Sequence, residues 1–222
     1  MHRAYYEAYD DRYQQVHREN LKWFAEEPSG IVSNVIQKYG VCGRILELGC
    51  GEGRDARPLL ERGFDLLATD ISPAAIAFCQ KEWPEYQDHF QIMDCVRGNM
   101  DAEFDFIYAI AVIHMLVLQE DRNKFYRFVR NHLKENGISL ICTMGDGVTE
   151  RKSDISTSFE LQDRVHEQTG RVLRLAGTSY RAVSIDTFRG ELKENGLEIL
   201  EQGMTDVEPD YGKMMYAVVR KG

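Results

Sequence analysis

The pattern of apolar and polar positions predicts an amino-terminal helical region followed by strands and helices that alternate. Residues 3–26 carry apolar side chains at an approximately helical spacing, EEPSG (26–30) interrupts them, and residues 29–39 predict a second helix. From residue 44 onward, short apolar runs typical of buried strands alternate with helical segments. The predicted strands are RILELG (44–49), DLLATD (65–70), FQIMD (90–94), FDFIYAI (104–110) and ISLICTM (138–144), and the predicted helices are 54–62, 72–84 and 121–134.

The carboxyl-terminal part of the chain predicts one more helix and two strands. Ser184 stands where it would cap a helix that runs to Asn195–Gly196, and LEILEQG and KMMYAVVRK form two strand candidates after it. Strands that are apolar along their whole length and alternate with helices indicate an α/β fold, with a largely parallel sheet covered on both faces. Two consecutive final strands predict an antiparallel hairpin that completes this sheet, which makes seven strands.

Composition and charge narrow the kind of protein. The chain has 222 residues, of which 43% are hydrophobic and 28% charged, and no apolar run approaches the roughly 20 residues that span a bilayer. Its formal net charge of −9 argues against a nucleic-acid partner, because binding to a phosphate backbone depends on clustered Lys and Arg. The cysteines are five, scattered and without metal-ligand spacing. We therefore expect a cytoplasmic protein that contains no metal, enters no membrane and acts on a small molecule.

A glycine-rich loop follows the first predicted strand, in ILELGCGEGRDA (45–56). The dinucleotide fingerprint G-x-G-x-x-G fails here, because Arg54 occupies the third glycine position when counting starts at Gly49. The loop instead matches E-x-G-x-G-x-G, which begins at Glu47 and ends at Gly53. A carboxylate at that point repels a pyrophosphate and attracts a cationic amine.

Two further acids end the next two predicted strands. Asp70 ends DLLATD, where a carboxylate can accept hydrogen bonds from both ribose hydroxyls of a nucleoside. Asp94 ends FQIMD, where a carboxylate can accept from the exocyclic amine of adenine, and Cys95 would lie against the edge of the ring. Three acids at the ends of three successive strands, with the glycine loop after the first, are a more specific signal than any one of them.

At these residues the chain resembles the class I S-adenosylmethionine (SAM)-dependent methyltransferases. ILELGCGEG, LLATDIS, IMDC and FDFIYAIAVIHML are similar to the first four motifs of the family, and LKENGISLI is similar to the entry into its fifth strand. The resemblance implies a three-layer αβα Rossmann-like sandwich whose seven-stranded mixed sheet has an antiparallel last strand. It also implies SAM as cofactor and S-adenosylhomocysteine as product.

The resemblance assigns roles to individual residues. Glu47 would face the methionine amino group, Gly49 and Gly51 would approach the methionine moiety, Asp70 would bind the ribose, and Asp94 the adenine amine. The remaining expected cofactor-binding residues are Cys50, Arg54, Ile71, which would pack on adenine, Cys95 and Ala109. In its general residue pattern, though in no sharp motif, the amino-terminal stretch is similar to the lid of thiopurine and tellurite-resistance methyltransferases. This similarity implies cofactor contacts by Tyr13, Trp23 and Phe24. The alternative is that these aromatic side chains form the packing face of a helix.

A division of the chain follows from this interpretation. Residues 1–222 would form a single methyltransferase domain, with a helical lid at 1–40 and a cofactor-binding half at 41–144. Residues 145–182 are polar and lack a strong period, which favours either an insertion that covers the acceptor or a surface loop without a role. Residues 183–222 would supply the closing helix and strand hairpin.

The chemistry of methyl transfer demands little of the protein, because the sulfonium is already activated and positioning supplies most of the acceleration. The candidate general base is His114, just past the fourth strand, and the alternative is a histidine that packs or caps the next helix. No Asn/Asp-Pro-Pro-Tyr/Phe motif follows that strand, which argues against a nucleobase as acceptor. Two other functions stay open: a nicotinamide-dependent oxidoreductase and a non-catalytic SAM-binding module.

Overall fold

The computed structural model describes residues 3–207 and 211–222; Met1, His2 and residues 208–210, which belong to the predicted single domain, lie outside these ranges. The helices are α1 (Ala8–Arg18), α2 (Gly30–Tyr39), α3 (Ala56–Glu61), α4 (Pro73–Glu82), α5 (Gln119–His132) and α6 (Ile185–Glu194). The strands are β1 (Ile45–Leu48), β2 (Leu66–Asp70), β3 (Phe90–Ile92), β4 (Phe104–Ile110), β5 (Leu133–Met144), β6 (Arg151–Lys152), β7 (Leu161–Val165), β8 (Val172–Ala176), β9 (Arg181–Ala182), β10 (Leu197–Val207) and β11 (Tyr211–Lys221).

Seven strands form one sheet in the order β10-β11-β5-β4-β1-β2-β3. The first five strands of the chain pair in parallel, whereas β11 lies antiparallel to both β5 and β10. The predicted seven-stranded mixed sheet with an antiparallel last strand is therefore confirmed. Strand order reverses at β1, which has β2 on one side and β4 on the other. In sheets of this kind, ligands bind beyond the carboxyl ends of the strands at such a reversal.

The two faces of the sheet are covered by separate apolar clusters. Leu46 and Ile107 pack with Phe125 of α5 and Leu192 of α6 on one face. On the other face, Ile45 and its neighbours pack with side chains of α2, α3 and α4, among them Val35, Leu59 and Ile76. Every residue of β1 and β2 is buried, as expected for parallel strands between two helical layers. The three-layer αβα architecture is thus confirmed.

Three local predictions were wrong. The first helix ends at Arg18 rather than continuing to residue 26, because Asn20 takes a left-handed conformation with φ of 53° that no helix can continue through. Strand β3 ends at Ile92, so Asp94 stands two positions beyond the strand instead of ending it. Residues 145–182 contain two small antiparallel sheets, β6 with β9 and β7 with β8, where the sequence indicated no regular structure.

Both predicted helix caps are present. The hydroxyl of Ser72 accepts from the backbone N–H of Ala75 at the start of α4, with Pro73 at the first helical position. The hydroxyl of Ser184 accepts from the backbone N–H of Thr187 at the start of α6. The first of these caps fixes the turn that follows β2, and this turn carries the predicted ribose-binding acid.

Candidate functional site

A cavity lies at the carboxyl ends of β1, β2 and β4, where the strand order reverses. Most of its wall comes from the amino-terminal segment (residues 3–29), the glycine loop (residues 49–55), the turns after β2 and β3, and the segment after β4 (residues 111–116). The ends of β1, β2 and β4 complete it, with Arg57 of α3 and Trp83 after α4. Most of the predicted cofactor residues lie in this wall, namely Tyr13, Phe24, Glu47, Gly49, Cys50, Gly51, Arg54, Asp70, Ile71, Asp94 and Cys95.

The glycine loop is closely packed on both of its sides. The backbone N–H groups of Gly49 and Cys50 donate to the carbonyl of Thr69 on β2, at 2.7 and 2.9 Å. Gly49 has φ of 74°, and a Cβ there would lie 2.3 Å from a methyl carbon of Val112. A Cβ on Gly51 would lie 2.5 Å from the hydroxyl oxygen of Tyr13. The loop therefore requires glycine at these positions, because its backbone forms the floor of the cavity and its neighbours leave no room for side chains.

Glu47 presents a buried carboxylate at the wall of the cavity. Its residue is only 3% exposed, and among the described residues its Oε2 has no hydrogen-bond partner. Burial raises the pKa of this carboxyl well above its usual range, and the neighbouring Asp55 carboxylate adds to the shift, while Tyr108 and Arg54 oppose it. A buried polar atom without a partner is costly, so this oxygen suits a ligand that brings a donor, above all an ammonium group.

Asp70, the last residue of β2, links the glycine loop to the start of α4. Its Oδ2 accepts from the backbone N–H of Gly51 at 2.9 Å, and its Oδ1 accepts from the backbone N–H of Ser72 at 2.8 Å. Each oxygen keeps a further lone pair, so the carboxylate has the capacity to accept from two adjacent hydroxyls as well. Burial raises the pKa of Asp70 to about 6 despite these backbone donors.

Asp94 occupies the turn after β3. Its Oδ1 accepts from the backbone N–H groups of Val96 and Arg97, at 2.8 and 3.2 Å, and its Oδ2 accepts from the hydroxyl of Tyr6 at 3.1 Å. Apolar and thiol side chains stand beside it in the wall: Ile71, Met93, Cys95 and Val96. Burial raises the pKa of Cys95 to about 12, so this thiol is neutral. The arrangement offers an apolar slot with one carboxylate at its edge, which suits an amino-purine.

The sequence analysis missed Glu52, which anchors the amino-terminal segment to the glycine loop. Its carboxylate is buried and accepts from the backbone N–H groups of Trp23 (2.8 and 3.0 Å) and Phe24 (3.1 Å), and His17 Nε2 lies 2.8 Å from it. Nearby, Asp55 accepts from both the backbone N–H and the hydroxyl of Ser29. One feature of the sequence could have identified Glu52: it is an acid between two glycines of a tight loop, a position with little room for a solvated side chain.

A second group of missed residues lies on the first turns of the chain. Tyr6 and Tyr9 line the cavity together with Tyr13, at helical spacing. Asp10 accepts from the hydroxyl of Ser72 at 2.6 Å and from the backbone N–H of Ala74 at 3.0 Å, which docks α1 on the start of α4. The apolar spacing of this helix was recognised, but its aromatic face contributes to the cavity as well as to the core.

Three predicted residues lie outside the cavity wall: Trp23, Ala109 and His114. The guanidinium carbon of Arg12 lies 4.9 Å from the centroid of the Trp23 ring, and the backbone N–H of Trp23 donates to Glu52 of the glycine loop. His114 is 3% exposed and stands edge-on to the ring of Tyr180, with centroids 5.9 Å apart. Burial, with the neighbouring Arg122 and Arg12 cations, lowers its pKa to about 3. Its predicted role as general base stays a prediction that this geometry does not favour.

Arg54 is in the wall, but its guanidinium turns towards protein groups. One nitrogen donates to the hydroxyl of Ser29 at 2.9 Å and to Asp55 at 3.2 Å, and the guanidinium carbon lies 5.9 Å from the Phe24 ring centroid. Helix α3 begins at Ala56, so Arg54 belongs to the turn before it and not to its first turn. These contacts show Arg54 joining the glycine loop to the amino-terminal segment.

Residues 145–182 contribute no side chain to the described wall of the cavity; they support it from behind. Arg12 of α1 donates to the carbonyls of Ala176 and Gly177, at 2.9 and 3.0 Å. Ser179 donates to the carbonyl of Met115 at 2.6 Å. These bonds hold both α1 and the segment after β4 in place. That residues 145–182 cover the acceptor remains a prediction.

The part of the chain that the structure describes contains no group of His, Cys, Asp or Glu side chains arranged to hold a metal ion. Its helices are also too short or too polar to cross a membrane. All five cysteines are free thiols.

Comparison with known proteins gives a match over the part of the chain that carries most of the cavity wall. The family model of a methyltransferase domain matches residues 46–139, which contain β2 to β4, all of β1 except Ile45, the glycine loop and all three acids. Hemagglutinin 1 of Eikenella corrodens is 29% identical over 121 residues, which are 52% of this chain and 38% of that protein. A probable SAM-dependent methyltransferase, TehB, of Haemophilus influenzae is 28% identical over 100 residues, 44% of this chain and 35% of that protein. The chain thus spans well under half the length of these two relatives.

The fold has close counterparts among solved structures. A glycopeptide N-methyltransferase, MtfA, crystallised with SAM, superposes with a TM-score of 0.66 over 90% of this chain and 96% of that one, at 21% identity. That identity supports a shared fold alone. The sequence match therefore shows similarity to a methyltransferase domain over residues 46–139, and the solved structure shows that the chain shares the fold of a SAM-dependent methyltransferase.

Proposed function

We propose that this chain transfers the methyl group of SAM to a small-molecule acceptor and releases S-adenosylhomocysteine. The observation that carries the proposal is Oε2 of Glu47, which is buried and has no hydrogen-bond partner in the part of the chain that the structure describes. Glu47 shares the cavity wall with Asp70 and Asp94. Each of the three acids matches one part of the cofactor: the ammonium, the ribose hydroxyls and the adenine amine. The backbone of Gly49 and Gly51 lies in the same wall, where the methionine moiety would approach it.

The residues of the chain act by binding and orientation. When bound, SAM supplies a sulfonium whose methyl group is already activated for in-line attack by an acceptor lone pair. Glu47 would hold the amino end and Asp70 the ribose, so that the intervening sulfonium is fixed between them. The side chains of Tyr9, Tyr13 and Met115 line the same cavity and would exclude water from it.

Several observations support a small-molecule acceptor in a cytoplasmic protein. The cavity is bounded by the amino-terminal segment, which leaves less room for a macromolecule than an open groove would. The five free thiols suit a reducing compartment, and the net charge of −9 disfavours a nucleic-acid acceptor. MtfA, with the same fold, acts on a glycopeptide, so acceptors larger than a metabolite belong in the screen.

A nicotinamide-dependent oxidoreductase is the weaker candidate. Its pyrophosphate would have to approach the glycine loop, where Glu47, Glu52 and Asp55 are all buried carboxyl groups. A SAM-binding module without transfer activity would have the same cofactor site and differs only in lacking a product.

Calorimetric titration with S-adenosylhomocysteine, SAM and NAD in parallel tests the cofactor. We expect micromolar binding of the first two ligands and none of NAD. Binding of NAD alone would overturn the proposal. Incubation with methyl-labelled SAM and pools of small molecules then tests transfer: a labelled product supports the enzyme, and cofactor binding without any product supports the non-catalytic module.

A further inference from the structure

Tyr6 is the side chain that contacts the adenine-end carboxylate from the amino-terminal segment. It is buried in a short 3-10 helix (Tyr5–Glu7), lines the cavity, and donates its hydroxyl to Asp94 Oδ2 at 3.1 Å. The two residues are 88 positions apart in the chain. No motif of the methyltransferase domain includes Tyr6, because the family match begins at residue 46.

The ring of Tyr6 is held in place from two sides. The ring of Tyr5 meets it edge-on, with centroids 5.2 Å apart, and the guanidinium of Arg97 lies 5.7 Å from its centroid on another side. Glu7 closes the short helix by accepting from the backbone N–H of Ala4 at 2.7 Å. The direction of the hydroxyl is therefore set by the packing of the ring.

The oxygens of Asp94 are used unequally. Oδ1 accepts from two backbone N–H groups, which uses both of its lone pairs. Among the described residues, only Tyr6 donates to Oδ2, so its second lone pair is the acceptor position left for a ligand. Burial and the charge of Asp94 raise the pKa of the Tyr6 hydroxyl, so it remains a donor over the working pH range. A donor fixed on Oδ2 keeps that oxygen in an acceptor role.

We propose that Tyr6 is a positioning residue that makes Asp94 select a 6-amino purine over a 6-oxo purine, an inference that rests on the proposed SAM site. A 6-amino group donates to Oδ2, whereas a 6-oxo group would point its own lone pairs at a carboxylate that is already committed as an acceptor. Without the Tyr6 hydroxyl, Asp94 becomes free to bind a water molecule, which can donate to a 6-oxo group.

The test compares two adjacent tyrosines. Tyr6→Phe removes the hydroxyl on Asp94, and Tyr5→Phe is the matched control, because the Tyr5 hydroxyl bonds to Asp121 and to the backbone of residues 117–118 outside the cavity. Affinities are measured for S-adenosylhomocysteine and for its hypoxanthine counterpart. We expect the preference of the unmodified protein for the adenine ligand to fall about tenfold in Tyr6→Phe, as for one hydrogen bond to a charged group, and to persist in Tyr5→Phe.

A second variant keeps the test independent of how Tyr6→Phe folds. Asp94→Asn retains an oxygen for the N–H groups of Val96 and Arg97 and places an amide donor towards the cavity, so the preference should shift towards the hypoxanthine ligand. An unchanged preference in Tyr6→Phe or in Asp94→Asn overturns the inference and leaves the methyltransferase proposal intact. Failure of the unmodified protein to bind either ligand overturns both.

Discussion

The backbone N–H of Trp23 donates to both carboxylate oxygens of Glu52, at 2.8 and 3.0 Å. This bond joins the amino-terminal segment to the glycine loop, and the neighbouring bond from Phe24 N–H to the same carboxylate strengthens the connection. Because both the segment and the loop line the cavity, we expect this connection to slow the release of a cofactor enclosed there. Glu52 would then act on the residence time of the cofactor, although no chemistry is assigned to it.

Replacing Glu52 by Gln should accelerate the release of S-adenosylhomocysteine. The amide removes the charge and turns N–H groups towards the backbone donors of Trp23 and Phe24, which costs about 1.5–3 kcal/mol for hydrogen bonds to a charged group. We expect the dissociation rate to rise about tenfold or more in a stopped-flow displacement experiment. Glu120→Gln, at an exposed position on α5, is the control and should not change the rate. Equal rates in both variants would show that the connection does not gate release.

Replacing Glu47 by Gln should weaken ligands that carry the methionine amino group and spare those that lack it. The variant loses a buried charge-assisted hydrogen bond, for which we expect about a tenfold to hundredfold loss of affinity for S-adenosylhomocysteine. The affinity for 5′-methylthioadenosine, which has the nucleoside but no amino-acid end, should change less than threefold. Titration calorimetry measures both. Parallel losses for the two ligands would contradict the placement of Glu47 at the amino end.

The sequence predicted the three acids and their meeting place for a physical reason. Glu47 and Asp70 stand at or near the ends of apolar runs, and parallel strands bring those ends to one edge of the sheet. The bond between Tyr6 and Asp94 was not predictable, because it joins residues 88 positions apart through the docking of one segment on another. Likewise, the end of α1 depends on the left-handed conformation of Asn20, and the apolar spacing continues past that point.

The affinity for S-adenosylhomocysteine should depend on pH through Asp70. Its pKa is raised from 3.8 to about 6, so between those values the folded protein binds a proton that the unfolded chain does not. That proton stabilises the ligand-free protein at low pH, and the stabilisation is lost as pH rises through about 6. The ionised carboxylate is the better acceptor for ribose hydroxyls, so affinity should increase from pH 5 to pH 7. Asp70→Asn should flatten the dependence of affinity on pH. If the affinity of this variant still rises equally with pH, another group, such as Glu47, is responsible.

His114 should contribute to acid stability rather than to methyl transfer. Its pKa is lowered from 6.5 to about 3, so the folded protein keeps it neutral where the unfolded chain is protonated. Stability from this group is complete above about pH 6.5 and is lost as pH falls towards 3. When the pH is lowered from 7 to 4, the unfolding temperature should therefore fall less steeply in His114→Gln than in the unmodified protein.

The same variant separates this role from the predicted catalytic one. His114 lies outside the cavity wall, so we expect His114→Gln to retain the transfer rate within about threefold, as far as its fold is kept. His89→Gln, at a partly buried histidine outside the wall, is the control for the loss of an imidazole. The predicted role of His114 as general base would be supported by a hundredfold loss of transfer rate in His114→Gln alone, with cofactor affinity and unfolding temperature unchanged. Such a loss would require the imidazole to reach the acceptor.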